Sequence, residues 1–94
     1  MRFLRLDDLI ELTGLSKSYL YQKIASGEFP PPVKVGRRSL WVSDEVERVM
    51  SLWLSEAEVS RIRSEVQSLI GQRKHRADIK MYTLEESLMK ASGF

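Results

Sequence analysis

The sequence of 94 residues contains no cysteine and a single histidine, His75. It therefore has no disulfide and no set of thiolate and imidazole ligands for a metal ion, and it does not need an oxidising compartment. Long apolar runs are also absent, because Arg5, Asp7 and Asp8 interrupt the N-terminal segment MRFLRLDDLIEL. That segment is unlike a signal peptide or a membrane span. We therefore expect a cytoplasmic protein without a cofactor, a metal centre or a membrane partner.

Catalytic patterns and a strong net charge are missing as well. Asp7 and Asp8 have the position of a helix start rather than of a general acid–base pair, and His75 lies in the basic run RKHR. No glycine-rich phosphate loop is present, so we expect neither an enzyme nor a small-molecule substrate. The 15 basic and 13 acidic residues give a net charge of only +2. A general polycation is therefore excluded, and any argument for nucleic-acid binding depends on where the charges lie.

The first quarter of the chain has the punctuation of two short helices. Asp7 is a predicted N-cap and Gly14 a predicted C-cap for the first helix. Ser16 is a predicted N-cap for a second helix over about residues 17–26, which Gly27 ends. Two helices joined by a tight glycine turn predict a helix-turn-helix. The predicted buried side chains are those of Leu9, Ile10, Leu12, Leu20 and Ile24.

A short β-hairpin and a third helix are predicted next. Three prolines at positions 30–32 stop the second helix, because a proline lacks the amide donor and its ring clashes with the preceding turn. The alternation in residues 33–42 then predicts two strands around Gly36, Arg37 and Arg38. Ser43 is the predicted N-cap of the third helix. The apolar stripe of that helix consists of Val46, Val49, Met50 and Trp53.

Positive charge is concentrated in the recognition and hairpin segment. Residues 15–43 contain five basic side chains and one acid, Glu28, which gives a net charge of +4 where the whole chain has +2. An arginine pair at a hairpin tip is typical of a DNA-binding wing, which contacts phosphates or a narrow minor groove. The second helix is the predicted recognition helix in the major groove, with Ser18 and Gln22 facing outward. The candidate DNA contacts are Ser16, Lys17, Ser18, Tyr19, Gln22, Lys23, Lys34, Arg37 and Arg38.

The segment FLRLDDLIELTGLSKSYLYQKIASGEFPPPVKVGRRSLWVSDEVERVM closely resembles the AlpA-type prophage regulators. These are winged helix-turn-helix proteins akin to the MerR DNA-binding domain and to phage excisionases, and the resemblance covers about residues 3–54. It implies DNA binding and transcriptional control on a mobile element. For many members it also implies assistance to a tyrosine-type integrase in excision, as a recombination directionality factor. By resemblance, residues 16–19 and Gln22 fall on the recognition helix, and Arg37 and Arg38 fall on the wing.

The chain is predicted to consist of a winged domain, 1–54, and a C-terminal helical extension, 55–94. Ser55 and Glu58 have capping-box spacing at the start of this extension, and Gly71 is the predicted end of its first helix. Two interpretations of the apolar stripe on that helix stay open. The stripe folds back on the small core, or it pairs with another protomer or a partner protein. It consists of Val59, Ile62, Val66, Leu69 and Ile70.

The sequence as a whole predicts a mainly α-helical protein with a small β-hairpin, of the winged helix-turn-helix class, that binds double-stranded DNA. A single small module buries little DNA surface, so we expect a homo-oligomer or a cooperative assembly on DNA, associated with the nucleoid. An alternative function is that of a protein-interaction adaptor or anti-repressor that uses the C-terminal stripe. The basic run at residues 73–76 is predicted to be either a second phosphate contact or a solvated turn.

Overall fold

The computed structural model describes the backbone of residues 1–92 and the side chains of residues 1–77. Along the described backbone the elements are β1 (Phe3–Leu4), α1 (Leu6–Thr13), α2 (Lys17–Ala25), β2 (Val33–Val35), β3 (Arg38–Val42), α3 (Ser43–Leu54) and α4 (Val59–Ser92). The strands form one antiparallel sheet in the order β1-β3-β2. A mostly helical chain with a small hairpin sheet confirms the predicted winged-helix fold class.

The turn of the helix-turn-helix forms as the sequence predicts. Gly14 follows α1 in the left-handed conformation, with φ +71°, which an L side chain adopts only at a cost. The Ser16 hydroxyl accepts a hydrogen bond from the N–H of Tyr19 at 3.2 Å, which confirms Ser16 as the N-cap of α2. These two local signals set the angle at which α2 leaves the turn.

Two other predicted N-caps, Asp7 and Ser43, are wrong because both residues lie inside the first turn of their helices. Arg5, not Asp7, precedes α1, and the Arg5 N–H donates to the Asp8 carboxylate at 3.0 Å. Ser43 is the first residue of α3 rather than its cap. Its hydroxyl accepts the N–H of Arg2 at 2.8 Å, and its own N–H donates to the Arg2 carbonyl at 2.9 Å. Ser43 therefore fastens the N-terminal segment to the start of α3.

The sheet contains the predicted hairpin and one strand that was not predicted. In the hairpin, Val35 lies opposite Arg38, and Gly36 takes a left-handed φ of +62° at the turn. The additional strand is β1, whose Leu4 pairs with Trp41 of β3. A strand of two residues has no alternation to detect, so it is defined only by the partner that it meets.

The core is formed by side chains from every helix and from β1 and β3. Leu9 and Leu20 are fully buried as predicted, whereas Leu12 is 46% exposed and its predicted burial is wrong. Phe29 stacks on Trp53 with ring centroids 5.7 Å apart, which fixes the chain where it leaves α2. The buried core cluster consists of Leu4, Leu9, Leu20, Phe29, Trp41, Val46, Val49, Leu52, Ile62 and Val66.

The fourth helix starts and ends differently from the prediction. The Ser55 hydroxyl donates to the carbonyl of Leu52 at 3.0 Å, so it closes α3 instead of forming a capping box with Glu58. The predicted helix end at Gly71 is also wrong, since α4 continues through it to Ser92. A glycine inside a helix costs about 1 kcal/mol relative to alanine. Packing and ion pairs on both sides of Gly71 offset that cost.

The apolar stripe of α4 packs largely against the protein's own core. Ile62 is 6% exposed and Val66 is 1% exposed, and both belong to the core cluster. Leu69 and Ile70 are half-buried against it, while Val59 is 45% exposed. Fold-back on the core is therefore the interpretation that the structure supports for this stripe. Assembly with a second copy stays a prediction, and the adaptor alternative loses most of its proposed surface.

The basic run at residues 73–76 is helical, and two of its four side chains contact a buried carboxylate. Arg73 contacts both carboxylate oxygens of Glu45, at 2.6 Å and 2.9 Å, and Arg76 donates to Glu45 Oε2 at 2.5 Å. The Glu45 side chain is fully buried. The prediction of a solvated turn is wrong, and only Lys74 and His75 of the run lie exposed.

Candidate nucleic-acid interface

One side of α2 anchors the helix and leaves the opposite side exposed. Leu20 is fully buried and Ile24 is half-buried against the core. Residues four apart on a helix share a face, so Ser18 and Gln22 together occupy the exposed face. The exposed candidate residues at this helix are Ser16, Lys17, Ser18, Tyr19 and Gln22.

The chemistry of this face suits a DNA groove. Gln22 offers an amide donor and acceptor side by side, which matches an adenine edge, and the Ser18 hydroxyl donates or accepts. Lys17 adds a cation at the start of α2, next to the Ser16 cap. Tyr19 is 43% exposed and presents an aromatic surface. The face therefore combines groups for base edges with groups for the backbone.

The hairpin presents the second set of candidate residues. Arg37 and Arg38 are exposed at the turn between β2 and β3, and among the described side chains neither takes part in an ion pair. Lys34 is also exposed, and its ammonium donates to the Ser39 hydroxyl across the hairpin at 2.5 Å. The wing therefore offers unpaired guanidinium groups at its tip and a hydrogen-bonded lysine on its side.

Lys23 differs from the other candidates because its charge is already paired. Its ammonium lies 3.3 Å from Glu28 Oε1 and 5.2 Å from the centroid of the Tyr19 ring. The hydrogen bond to Glu28 raises the pKa of Lys23 above its usual value, against a smaller opposing effect of desolvation. The hydrogen bond from Ser26 and the one from Lys23 hold the pKa of Glu28 below its usual value. Both groups are therefore charged near neutral pH.

Two contacts at the end of α2 were not predicted from the sequence. Glu28 is 8% exposed although it is the single acid in a basic segment. Arg63, from α4, donates through Nε to the carbonyl of Ser26 at 3.0 Å. A lone acid among five bases is a signal that its charge has a local partner. Nothing in the sequence pairs Arg63 with a carbonyl that lies 37 positions earlier.

Apart from Glu28, the acids of the winged part lie on α1 and α3 and not on α2 or the hairpin. They lie in the first turns of α1 and α3 and shortly after those turns, where they also suit the positive ends of the helix dipoles. The segments α2 and β2–β3 themselves therefore contain no acid that would repel a phosphate. These acids are Asp7, Asp8, Glu11, Asp44, Glu45 and Glu47.

Among the residues that the structure describes, no group of three histidine, aspartate or glutamate side chains is arranged to hold a metal ion. Within the same described part, none of the helices combines the length and the apolar character that crossing a membrane requires.

A helix-turn-helix followed by a basic hairpin defines this chain as a winged helix-turn-helix protein. The family model described as Prophage CP4-57 regulatory protein (AlpA) matches residues 2–73. The chain therefore belongs to the AlpA family of prophage regulatory, DNA-binding proteins, whose members are generally not enzymes. The match extends past the resembling segment 3–54 and includes the part of α4 that packs on the core.

A phage protein provides a more specific comparison. The uncharacterized protein ORF88 of Enterobacteria phage P4 is 43% identical to this chain over 51 residues. The aligned part covers 53% of this chain and 58% of the phage protein, so it spans little more than half of either. No solved structure matches the chain.

Proposed function

We propose that this protein is a sequence-specific DNA-binding regulator of a prophage or genomic island. In this proposal α2 enters the major groove and the wing clamps the adjacent backbone or minor groove. The observation that carries it is the exposed pair Arg37 and Arg38 at the tip of the hairpin, which has no ion-pair partner among the described side chains, together with the exposed polar face of α2. Family membership supports DNA binding in general, and the contacts themselves are part of the proposal.

The residues have separate roles in this mechanism. Ser18 and Gln22 contact base edges, where a good bidentate contact discriminates by about 1–3 kcal/mol. Ser16, Lys17, Lys34 and the wing arginines contact phosphates and set the register, without specifying sequence. Tyr19 packs against a sugar or a thymine methyl group.

We further propose that several copies act together in the cytoplasm, on the nucleoid. A module of this size buries little DNA surface, so useful specificity requires adjacent or inverted sites. DNA bent by such an assembly is a substrate that a tyrosine-type integrase or a polymerase recognises. Excision as a recombination directionality factor and plain transcriptional control both fit this mechanism, and they differ in partner and DNA site.

A salt titration tests the roles of the wing and of α2. Arg37→Ala with Arg38→Ala removes two phosphate contacts and should flatten the plot of log affinity against log salt by about two units. The exposed pair Arg61 and Lys74 on α4 is the matched control. Its double alanine variant removes the same charge from residues outside α2 and the wing and should keep the slope near that of the parent.

Gln22→Ala supplies the contrasting result. It should leave the slope unchanged and relax the preference at one base position when bound sequences are selected from a random duplex pool. If the wing variant and the Arg61 and Lys74 variant flatten the slope equally, the wing has no special role. If the Gln22→Ala variant selects the parental motif, the assignment of Gln22 to base recognition is wrong.

A further inference from the structure

A small polar cluster joins the end of α2 to the residues that follow it. Glu28 Oε1 accepts the Lys23 ammonium at 3.3 Å, and Glu28 Oε2 accepts the Ser26 hydroxyl at 2.5 Å. The Glu28 side chain is 11% exposed, and that of Lys23 is 27% exposed. A charge pair that water reaches so little is screened less by salt than a surface pair.

The backbone holds this cluster in place. Gly27 takes a left-handed φ of +79°, which turns the chain back on α2, and the Glu28 N–H donates to the Lys23 carbonyl at 2.9 Å. Phe29 and Pro30 follow directly and are fully buried. The carboxylate is therefore fixed from both sides next to the side chain of Lys23, five residues earlier.

The same geometry places Lys23 over an exposed ring of the proposed interface. Its ammonium lies 5.2 Å from the centroid of Tyr19, within the range of a cation–π contact. Tyr19 is one turn earlier on α2, so the ring, the ammonium and the carboxylate form a row along the helix. In this arrangement the Lys23 ammonium, on a side chain that is 27% exposed, contacts both the carboxylate and the ring.

We propose that Glu28 is a positioning residue of the DNA interface, which holds Lys23 against Tyr19 and prevents its ammonium from contacting a phosphate. The inference rests on the proposed function of α2 as the recognition helix. Lys23 then contributes to DNA binding by bracing the Tyr19 ring. The middle of α2 meets DNA with uncharged groups, which favours base discrimination over non-specific attraction.

Removal of the carboxylate charge tests this inference. Glu28→Gln keeps the shape of the side chain and releases the ammonium, which becomes a new phosphate contact. We expect the salt slope to steepen by about 0.9. We also expect affinity for a random duplex to rise and the ratio of specific to non-specific affinity to fall. Glu28→Gln combined with Lys23→Gln removes the pair without changing net charge and should have the parental slope.

A measurement without DNA tests the contact between Glu28 and Lys23 separately from its effect on DNA binding. The Lys23 amine should react several times faster with an acylating reagent in Glu28→Gln than in the parent, as read by peptide mass spectrometry. The neighbouring Lys17 is the internal control and should react at an equal rate in both proteins. Equal reactivity of Lys23 in the two proteins overturns the inference.

The outcomes of the titration distinguish the inference from the function on which it rests. A parent protein without salt-dependent DNA affinity overturns the proposed function and this inference with it. A parent with a normal slope and a Glu28→Gln variant with the same slope overturns the inference alone. A double variant with a slope flatter by about 0.9 shows that Lys23 contacts phosphate in the complex, which also overturns it. If Glu28→Gln has a lowered Tm, the single variant Lys23→Gln replaces it. A parental salt slope of Lys23→Gln then supports the inference, and a slope flatter by about 0.9 overturns it.

Discussion

The ion pairs between α3 and α4 make Arg73 the most informative position for a stability measurement. Its Nη2 atom donates to Glu45 Oε1 at 2.6 Å and to the carbonyl of Pro31 at 2.7 Å, and its Nε atom donates to Glu45 Oε2 at 2.9 Å. Arg73→Met keeps much of the aliphatic stem and removes all three hydrogen bonds. A fully buried carboxylate is then left with Arg76 as its remaining partner in the described structure.

The expected loss follows from this geometry. Breaking a buried ion pair by removing one partner costs about 3–5 kcal/mol. The Arg73 side chain is 23% exposed and Arg76 stays in contact with Glu45, so we expect a smaller loss of about 2–3 kcal/mol. In a domain of this size each kcal/mol lowers Tm by about 4–8 °C. The variant should therefore melt about 10–20 °C below the parent.

Thermal melting followed by circular dichroism measures this loss, with Lys74→Met as the matched control. Lys74 is the next residue on the same helix and is exposed, so its variant should melt within a few degrees of the parent. Because the carboxylate is buried, its ion pairs are screened little by salt, and 0.5 M salt should not lower the Tm of the parent protein by a comparable amount. The reasoning is refuted if the two methionine variants melt together.

Two further predictions concern the core and the pH dependence. Ile62→Asp with Val66→Asp should abolish folding, because each site loses about 1.5–3 kcal/mol of apolar burial and gains a carboxylate without a partner. The control Val59→Asp, at an exposed site of the stripe, should leave the protein folded. A double variant with the near-ultraviolet circular dichroism spectrum of a folded protein would contradict the core assignment. The depressed pKa of Glu28 stabilises the folded state above about pH 4.3, and this contribution disappears as the pH falls through the folded value. The gap in unfolding free energy between parent and Glu28→Gln, measured in urea, should therefore narrow in acid, and a constant gap between about pH 3 and 7 would refute the assignment.

Local signals made the helix-turn-helix and the hairpin predictable. Gly14 and Gly36 adopt left-handed conformations that few other residues tolerate, and the Ser16 hydroxyl caps α2 from within its own turn. Each of these features depends on residues that are close in sequence. The sequence therefore predicted where α2 begins and where the hairpin turns, and with them the exposed arginine pair.

Features that depend on distant partners were missed or assigned wrongly. Ser43 has the right chemistry for a cap, but its hydroxyl meets the backbone of Arg2, which is 41 positions away. Gly71 has the usual signature of a helix end, yet contacts made by Arg73 and Val66 keep the helix intact across it. A propensity of about 1 kcal/mol is smaller than the stabilisation from such tertiary contacts, so it does not decide the outcome.

The position of α4 leads us to expect that this helix stabilises the proposed DNA surface without contacting DNA. Arg63 donates to the carbonyl of Ser26 at 3.0 Å, and Arg73 donates to that of Pro31 at 2.7 Å. These carbonyls lie at the two ends of the segment 26–31, which joins the proposed recognition helix to the wing. The two arginines are ten residues apart on one helix, a span of about 15 Å along its axis. One helix that bonds to both ends of this short connection restricts how far the exposed face of α2 and the wing can move relative to each other. We therefore expect α4 to hold the two parts of the proposed DNA surface, α2 and the wing, in a fixed arrangement. A shift of either part would strain the hydrogen bond that Arg63 or Arg73 makes to the connecting segment.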